Sequence, residues 1–254
     1  MKEIKIYISN WIKDYAKKNK KTNLIIGISG GIDSAVTSTL CAETSINTIA
    51  VSMPINQNKK QLERATDHIN WLKSNYKNVE KVEVNLSGIF NEFKNTLGKD
   101  FQNDLALANT KARIRMTTLY QIASSKNGLV VGTGNKIEDF CIGFFTKYGD
   151  GGVDISPIGD LIKSEVFSLA KELNIIKSIQ TATPTDGLWN DDRTDEDQIG
   201  ATYIEIEKAI KNIKSKKSNL TYREKEVIQI YLKYKKTNNH KMNPIPVCII
   251  SKKK

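Results

Sequence analysis

The sequence predicts an α/β protein with a doubly wound parallel sheet and helices flanking both of its faces. Short apolar runs suited to buried strands alternate with longer segments in which apolar residues recur every three or four positions. Such alternation is typical of parallel strands joined by helical crossovers. Because ligands bind beyond the carboxyl ends of the strands in sheets of this kind, we expect a site in the loops that follow the strands.

Each element is predicted from its own pattern of apolar residues. Strands are expected at Leu24–Ile28, Asn47–Met53, Val79–Leu86 and Leu129–Val131. Helices are expected at about residues 3–18, Ser34–Ala42, Lys60–Lys73, Ser87 to about Leu97, Asp104–Ser125, Ser164–Leu173, Thr202–Ile213 and Thr221–Lys235. Ser87 is expected to cap the helix that it begins, and His68 to be a structural residue inside its helix. Polar, turn-rich stretches at Gly149–Gly152 and Pro184–Asp197 are typical of active-site loops or lids.

The composition limits the class of protein. A chain of 254 residues can bury a sizeable core as one α/β domain, and 39% apolar content with mixed charges is typical of globular proteins. No apolar run approaches the length of a membrane span, the N-terminus lacks the apolar centre of a signal peptide, and the three cysteines have no metal-site spacing. A cytoplasmic protein without a membrane partner is therefore expected. The net charge of +11 admits a nucleic-acid partner, but a solvated lysine-rich surface explains the charge better.

The stretch Leu24–Ser34, which reads LIIGISGGIDS, predicts an anion site. A strand runs through a glycine turn into a helix N-terminus, whose free N–H groups and dipole favour negative charge. Gly30 and Gly31 allow a positive φ and a close approach of the backbone to a ligand, and the hydroxyls of Ser29 and Ser34 can donate to phosphate oxygens. Asp33 stands where the common phosphate loop has a lysine, so a divalent metal is needed between this acid and a polyphosphate. The plainer interpretation, a glycine turn capped by an acid, does not account for all of these features together.

The motif SGGxDS resembles the signature of the PP-loop ATP pyrophosphatases. The resemblance implies an adenine nucleotide alpha hydrolase-like fold and a reaction in which AMP is transferred to a substrate oxygen with release of pyrophosphate. The motif alone does not identify the acceptor.

Several motifs in the second half resemble bacterial ammonia-dependent NAD synthetases. They are KARIRM at Lys111–Met116, VGTGNKIEDFCIGFFTKYGDGGVD at residues 131–154, PTDGLW at Pro184–Trp189 and HKMNP at His240–Pro244. This resemblance implies ATP-dependent amidation of deamido-NAD with ammonia, giving NAD, AMP and pyrophosphate through an adenylated carboxylate. It also implies Mg²⁺, a homodimer, and one synthetase domain over residues 1–254 without a glutaminase domain. Within that domain we expect an N-terminal helix at about 3–18, a nucleotide-binding core at about 22–180, and C-terminal helices and a tail at about 190–254.

The resemblance also implies roles for individual residues. ATP binding is assigned to Gly27, Ile28, Ser29, Gly30, Gly31, Ile32, Asp33, Ser34, Thr133, Lys163 and Thr185. Binding of deamido-NAD is assigned to Arg113, Lys147, Asp154, His240 and Lys241, and Mg²⁺ binding to Asp33 and Glu138. The catalytic residues are expected to be Asp33, Lys163 and Asp150, the last as a carboxylate that orients ammonia or a metal.

The sequence departs from the family pattern at one position. Five steps separate Glu138 from Gly143, where many members have four, so Asp139 competes with Glu138 for the metal role. Plainer interpretations also stay open: Glu138 as an acid in the first turn of a helix, Arg113 as a surface ion-pair partner, and Lys147 as a loop lysine. Composition alone would describe the tail from Asn238 as disordered.

Two other classes of function remain alternatives. A PP-loop adenylating enzyme acting on tRNA would use the same loop and would suit the basic charge, but the chain lacks the cysteine pairs of thiolating members. A nucleotide-binding protein without catalysis would not need Asp33 and Glu138 together, nor two polar lids.

Overall fold

A computed structural model describes residues 1–57, 59–185, 187–189 and 193–250 of the chain. In this part of the chain, four parallel strands form one sheet in the order β3-β2-β1-β4. The strands are β1 at Asn23–Gly27, β2 at Asn47–Ser52, β3 at Val79–Glu83 and β4 at Gly128–Val130. The predicted α/β class with a parallel sheet is confirmed.

Helices connect the strands and cover the sheet. They are α1 Lys2–Lys18, α2 Ile32–Glu43, α3 Lys59–Asn75, α4 Ser87–Thr96, α5 Asp104–Ser125, α6 Lys163–Glu172, α7 Lys177–Gln180, α8 Asp195–Ile199, α9 Tyr203–Lys214 and α10 Tyr222–Met242. A 3₁₀ turn at Lys99–Phe101 precedes α5, and a π-helical segment occupies Lys136–Ile142. None of the described helices is long and apolar enough to span a membrane.

The strand order places a topological switch point between β1 and β4. The chain proceeds from β1 outward through β2 to β3, and then returns to the opposite side of β1 to form β4. The loops after β1 and β4 therefore leave the same edge of the sheet in different directions, which opens a crevice between them. The glycine loop at Ser29–Ser34 follows β1, and the turn Gly132-Thr133-Gly134 follows β4.

Alternation along the central strand divides the core between the two faces of the sheet. Leu24 and Ile26 are fully buried in the cluster that α1, α2, α3 and α6 cover, whereas Ile25 is buried on the face covered by α4 and α5. A third apolar cluster joins the π-helical segment to α9 and α10, with Tyr203 and Tyr231 among its buried residues. The C-terminal helices are thereby anchored beside the loop that follows β4.

Some local predictions are wrong in detail. Ser87 does not cap α4: its Oγ accepts a hydrogen bond from the Asn56 N–H at 3.2 Å, and the Asn85 side chain accepts from the Ser87 N–H instead. Strand β3 ends at Glu83, three residues earlier than predicted. The last helix was predicted to end at Lys235, but α10 continues as far as Met242, through the tail that composition alone would describe as disordered. His68 is fully buried in α3, as predicted, with its Nε2 2.9 Å from Ser38 Oγ.

Candidate active site

A cavity lies at the carboxyl ends of β1 and β4, where the sheet topology predicts a site. Its wall includes all the residues assigned to ATP, namely Gly27–Ser34, Thr133, Lys163 and Thr185, together with Glu138 and Asp150. The five residues assigned to deamido-NAD lie outside this wall. The residues predicted to bind ATP therefore line a single cavity within one chain.

The glycine loop takes the form that the sequence requires. Gly30 has φ of +83°, and a Cβ at this position would lie 2.5 Å from the backbone oxygen of Gln61, so only glycine fits. Ser34 Oγ donates to the Gly31 carbonyl at 3.0 Å and lies 3.0 Å from Ser29 Oγ, which accepts from the Gly31 N–H at 3.2 Å. The two hydroxyls thus hold the loop itself. Anion binding would rest on the N–H groups at the start of α2.

A buried charge cluster closes one side of the cavity. Lys163, the first residue of α6, is 2% exposed, and its Nζ lies 2.7 Å from Asp33 Oδ2 and 2.9 Å from Glu138 Oε1. Asn135 donates from Nδ2 to Asp33 Oδ1 at 3.0 Å, and its own oxygen caps the π-helical segment by accepting from the Glu138 N–H at 3.1 Å. One amide thereby fixes both carboxylates relative to each other.

The three charged groups of this cluster shift one another's pKa values. Burial by itself lowers the pKa of Lys163, but the negative charges of Asp33 and Glu138 outweigh it and raise the pKa above the usual range. Burial raises the pKa of Asp33, in opposition to Lys163. For Glu138, burial is outweighed by Lys163 and by a hydrogen bond from Tyr203, so its pKa is lowered. Lys163 therefore stays charged, and Glu138 stays ionised, at neutral pH.

The side chains of Glu138 and Asp139 have different neighbours. The Glu138 carboxylate meets Lys163, whereas the Asp139 carboxylate lies against Gly134, so closely that a Cβ on Gly134 would come within 1.7 Å of Asp139 Oδ2. Burial and the nearby charges of Asp150 and Glu138 raise the pKa of Asp139 well above its usual value. The geometry thus joins Glu138 to the Asp33–Lys163 pair, whereas Asp139 packs against Gly134.

Asp150 lies in the loop of the KYGDGG motif and opens onto the cavity. Its Oδ1 accepts a hydrogen bond from the Thr146 N–H at 2.9 Å. Although the side chain keeps contact with solvent in the cavity, protein surrounds it, and this desolvation raises the pKa of Asp150 to about 6, with a further contribution from Glu138. A carboxyl group with this pKa can exchange a proton near neutral pH.

Four of the five residues assigned to deamido-NAD form a connected group beside α5. Arg113 Nε donates to the Lys147 carbonyl at 3.3 Å, and Lys147 Nζ donates to the His240 carbonyl at 2.9 Å. Lys241 Nζ donates to the Phe145 carbonyl at 2.7 Å and lies over the Phe145 ring. The C-terminal end of α10 is thus tied to the loop that carries Asp150.

Asp154, the fifth of these residues, is engaged in holding the fold. Its Oδ2 accepts from the Val130 N–H at 2.8 Å, and its Oδ1 accepts from the Tyr120 hydroxyl at 3.0 Å. Both carboxylate oxygens therefore stabilise the junction of β4 and α5.

The predicted lid at Pro184–Asp197 folds over the cavity in its described part. Thr185 Oγ1 donates to the Arg193 carbonyl at 3.2 Å, and Lys111 Nζ of α5 donates to the Leu188 carbonyl at 2.7 Å. Gly187 has φ of +62° and packs against the Gln61 side chain of α3. Four residues of this stretch lie outside the described part of the chain: Asp186, Asn190, Asp191 and Asp192.

Comparison with known proteins identifies the family. A family model described as NAD synthase matches residues 4–245. The chain is 39% identical over 236 residues to the NH(3)-dependent NAD(+) synthetase of Mycoplasma genitalium, an alignment covering 92% of this chain and 90% of that protein. The chain belongs to the NAD synthase family.

Solved structures agree with this membership. The NMN synthetase from Francisella tularensis aligns with a TM-score of 0.86 and 31% identity over 98% of both chains. The NH3-dependent NAD synthetase from Campylobacter jejuni, solved in complex with the nitrate ion, aligns with a TM-score of 0.79 and 27% identity over 98% of this chain and 99% of that one. The NAD synthase family catalyses the ATP-dependent amidation of deamido-NAD, so this member is a ligase. The predicted resemblance and reaction are confirmed, and the alternative of an enzyme acting on tRNA finds no support.

Asp33 and Glu138 have the side-chain chemistry of a magnesium site. Mg²⁺ is usually held by one or two carboxylates with substrate phosphates and water completing six oxygens. A cation, the Lys163 ammonium, already lies within hydrogen-bonding distance of both carboxylates. Within the described residues, no group of three or more His, Cys, Asp or Glu side chains is arranged to hold a metal without such phosphates. Two carboxylates on one cavity wall fit a Mg²⁺ ion whose other ligands are phosphate oxygens and water.

Sequence reasoning missed three members of the cluster. Asn135 follows the GTG turn directly, and its position three residues before Glu138 is a helix-start signal that would have found it. Tyr203 donates to Glu138 Oε1 at 2.5 Å and lies 3.2 Å from Asp195 Oδ2. The third is Asp195 itself. The sequence predicts a helix at Thr202–Ile213, but nothing local indicates that its second residue, Tyr203, returns to the residues after β4.

Proposed function

We propose that this NAD synthase amidates the nicotinate carboxyl group of deamido-NAD with ammonia, and that ATP is cleaved to AMP and pyrophosphate. One observation carries the proposal: the glycine loop, the Asp33–Lys163–Glu138 cluster and Asp150 share a single cavity. Adenylation needs an anion cradle with positive charge beside it, and amidation needs a site for ammonia next to the activated carbon.

In the first step, a carboxylate oxygen of the nicotinate attacks the α-phosphorus of ATP. The bond from this phosphorus to the bridging oxygen of pyrophosphate breaks, and an acyl-adenylate forms. The loop N–H groups and the Lys163 ammonium stabilise the charge on the phosphates. Asp33 and Glu138 would hold a bound Mg²⁺, which would supply further positive charge beside the phosphates. Lys163 is suited to this role because its two carboxylate neighbours keep it protonated.

In the second step, ammonia attacks the acyl carbon, and the bond to the AMP oxygen breaks. Ammonium must first lose a proton, and Asp150 is a suitable acceptor because its pKa of about 6 lets it accept a proton near neutral pH. The charge of Asp150 helps to raise the pKa of the neighbouring acid Asp139. This assignment makes Asp150 a catalytic residue for the amidation half of the reaction.

The dinucleotide acceptor is expected to extend from the cavity toward Arg113, Lys147, His240 and Lys241. This group is basic and lies on the surface of the single chain, so a second copy of the chain is a suitable partner to complete the site. We therefore propose a homodimer located in the cytoplasm. Light scattering at several protein concentrations measures the mass, and a monomer with full activity would contradict the shared site.

A second acceptor is favoured by the likeness to the Francisella tularensis NMN synthetase. Formation of NMN would use nicotinate mononucleotide, which carries the same carboxyl group without the adenylyl half. The chemistry in the cavity would be the same, and only contacts outside it would distinguish the two acceptors.

The deciding experiment is a steady-state assay with ATP, Mg²⁺ and ammonium, and with either deamido-NAD or nicotinate mononucleotide. Pyrophosphate and amide product are measured together. We expect equal amounts of pyrophosphate and NAD, with kcat/KM at least about tenfold higher for the dinucleotide, a difference of about 1.4 kcal/mol in transition-state binding. Asp33→Ala should abolish both products. Asp160→Asn removes an exposed acid that pairs with Lys136 on the surface, and it should change neither product.

The outcomes separate the possibilities. Pyrophosphate without either amide would mean that another acceptor is used, and preference for the mononucleotide would reassign the chain to NMN synthesis. No pyrophosphate from a folded, Mg²⁺-supplied protein would refute the adenylation chemistry itself.

A further inference from the structure

Tyr203 occupies the interface between the C-terminal helices and the charge cluster. It is the first residue of α9 and is 4% exposed. Thr202 and Glu205 form a capping box around this helix start: Thr202 Oγ1 accepts from the Glu205 N–H, and Glu205 Oε2 accepts from the Thr202 N–H. The position of the Tyr203 backbone is therefore fixed independently of the cluster that its side chain enters.

The Tyr203 side chain contacts both members of the pair that the mechanism uses. Its hydroxyl donates to Glu138 Oε1, the same oxygen that accepts from Lys163 Nζ at 2.9 Å. Its ring lies 4.7 Å from Lys163 Nζ, within the range of a cation–π interaction. Tyr203 thus contacts the carboxylate through its hydroxyl and the ammonium through its ring.

The same hydroxyl reaches the end of the lid. Asp195, the first residue of α8, lies near the C-terminal end of the predicted lid and lines the cavity, and its Oδ2 lies 3.2 Å from the Tyr203 hydroxyl. A second link runs beside it, because the Tyr203 N–H donates to Glu196 Oε1 at 2.9 Å. The lid's C-terminal anchor and the carboxylate of Glu138 therefore meet at one phenol oxygen.

We propose that Tyr203 is a positioning residue for the reaction: its hydroxyl orients Glu138, its ring orients the Lys163 ammonium, and its contact with Asp195 couples both to the lid. This inference rests on the proposed adenylation of deamido-NAD. Tyr203 does not form part of the cavity wall, so it acts through Glu138 and Lys163 rather than on the substrates.

Removal of the hydroxyl has a defined structural effect. Without it, Glu138 Oε1 keeps only the Lys163 ammonium of its two donors, and the phenol no longer restrains the carboxylate. A displaced carboxylate and ammonium slow the reaction of the bound complex, so kcat should fall while the KM for deamido-NAD is retained. A tyrosine that served only the packing of α9 would lower stability and leave the kcat of the folded enzyme unchanged.

The test compares Tyr203→Phe with Tyr234→Phe. Both variants keep the aromatic ring, and Tyr234 loses a hydrogen bond to the Gln198 carbonyl at 2.8 Å, remote from Lys163. We expect Tyr203→Phe to lower kcat about 10- to 100-fold, which corresponds to one hydrogen bond to a charged group, with less than a twofold change in the KM for deamido-NAD. Tyr234→Phe should retain both the wild-type kcat and the wild-type KM.

A second substitution separates the lost hydrogen bond from a disturbed fold. Incorporation of 3-fluorotyrosine at position 203 keeps both the ring and the hydroxyl donor, so kcat should stay within about twofold of the wild-type value. Wild-type protein that forms no NAD would refute the proposed function. Wild-type turnover with unchanged kcat in Tyr203→Phe, or an equal loss of kcat in the phenylalanine and fluorotyrosine proteins, would refute the positioning role alone.

Discussion

Replacement of Lys163 by methionine tests whether the charge cluster is balanced as the structure indicates. The change keeps most of the side-chain volume but removes the ammonium that lies 2.7 Å from Asp33 and 2.9 Å from Glu138. Two carboxylates, each 17% exposed, would then face one another without a cation. The variant should lose catalysis, and it should also unfold more easily.

The magnitude follows from the burial of the three groups. Breaking a buried ion pair by removing one partner costs about 3–5 kcal/mol, because the remaining charge is neither hydrated nor paired. Since the cavity gives the two carboxylates some access to water, we expect a loss of about 3 kcal/mol in the free energy of unfolding near neutral pH. Lys136→Met is the matched control, because Lys136 pairs with Asp160 on the surface, with side chains 36% and 95% exposed. Its expected cost is below about 1 kcal/mol.

The pH dependence gives a sharper result than the magnitude alone. In the wild type, the pKa of Glu138 is lower in the folded than in the unfolded protein, so its stabilising contribution is present above the unfolded value and is lost as the pH falls. In Lys163→Met, burial raises the folded pKa values of both acids, so stability falls as the pH rises through the unfolded values. The destabilisation relative to wild type should therefore be larger at about pH 8 than at about pH 5. Urea unfolding at both pH values measures it, and an equal loss at both would refute the electrostatic argument.

Two further predictions concern the loops around the cavity. Gly30→Ala should abolish ATP binding in a calorimetric titration, because its Cβ would lie 2.5 Å from the Gln61 backbone oxygen. Gly88→Ala is the control, because its Cβ would have no heavy atom within 4 Å, and it should bind ATP as the wild type does. Asp150→Asn should remove the acid limb near pH 6 from the ammonium-dependent rate and raise the KM for ammonium, while ATP binding is retained. Normal ATP affinity in Gly30→Ala, or an unmoved acid limb in Asp150→Asn, would contradict these assignments.

Local patterns were sufficient to predict most of the fold. The buried strand β1, the glycine loop and the start of α2 each follow from residues that are adjacent in the sequence, so no tertiary information is needed. The same is true of α5, which begins at Asp104 and ends at Ser125 as predicted, with Asn103 as its cap. The parallel direction of the strands follows from the helices that connect them.

Residues whose role depends on distant contacts were not predictable in this way. Tyr203 reaches Glu138 across 65 positions of sequence, and its local pattern indicates only a helix start. Composition alone would describe the tail that holds His240 and Lys241 as disordered, but α10 continues to Met242. Asn238 Nδ2 donates to the Ile142 carbonyl and Lys241 Nζ to the Phe145 carbonyl, so contacts with the segment after β4 hold the extra turns of the helix. Tertiary packing overrides composition here, because apolar contacts formed elsewhere stabilise a segment that is weakly helical by itself.

The π-helical segment Lys136–Ile142 gives two neighbouring acids different partners. Asn135 fixes the start of the segment by accepting hydrogen bonds from the Ile137 and Glu138 N–H groups, and Gly143 ends it with φ of +63°. Successive residues of a helical turn point in directions about 100° apart, so Glu138 and Asp139 cannot both face Lys163. The Glu138 carboxylate contacts Lys163, whereas the Asp139 carboxylate lies against Gly134. Of the two acids that compete for the metal in the sequence, the contact with Lys163 therefore favours Glu138, and Glu138→Gln should weaken the Mg²⁺ dependence of turnover more than Asp139→Asn does.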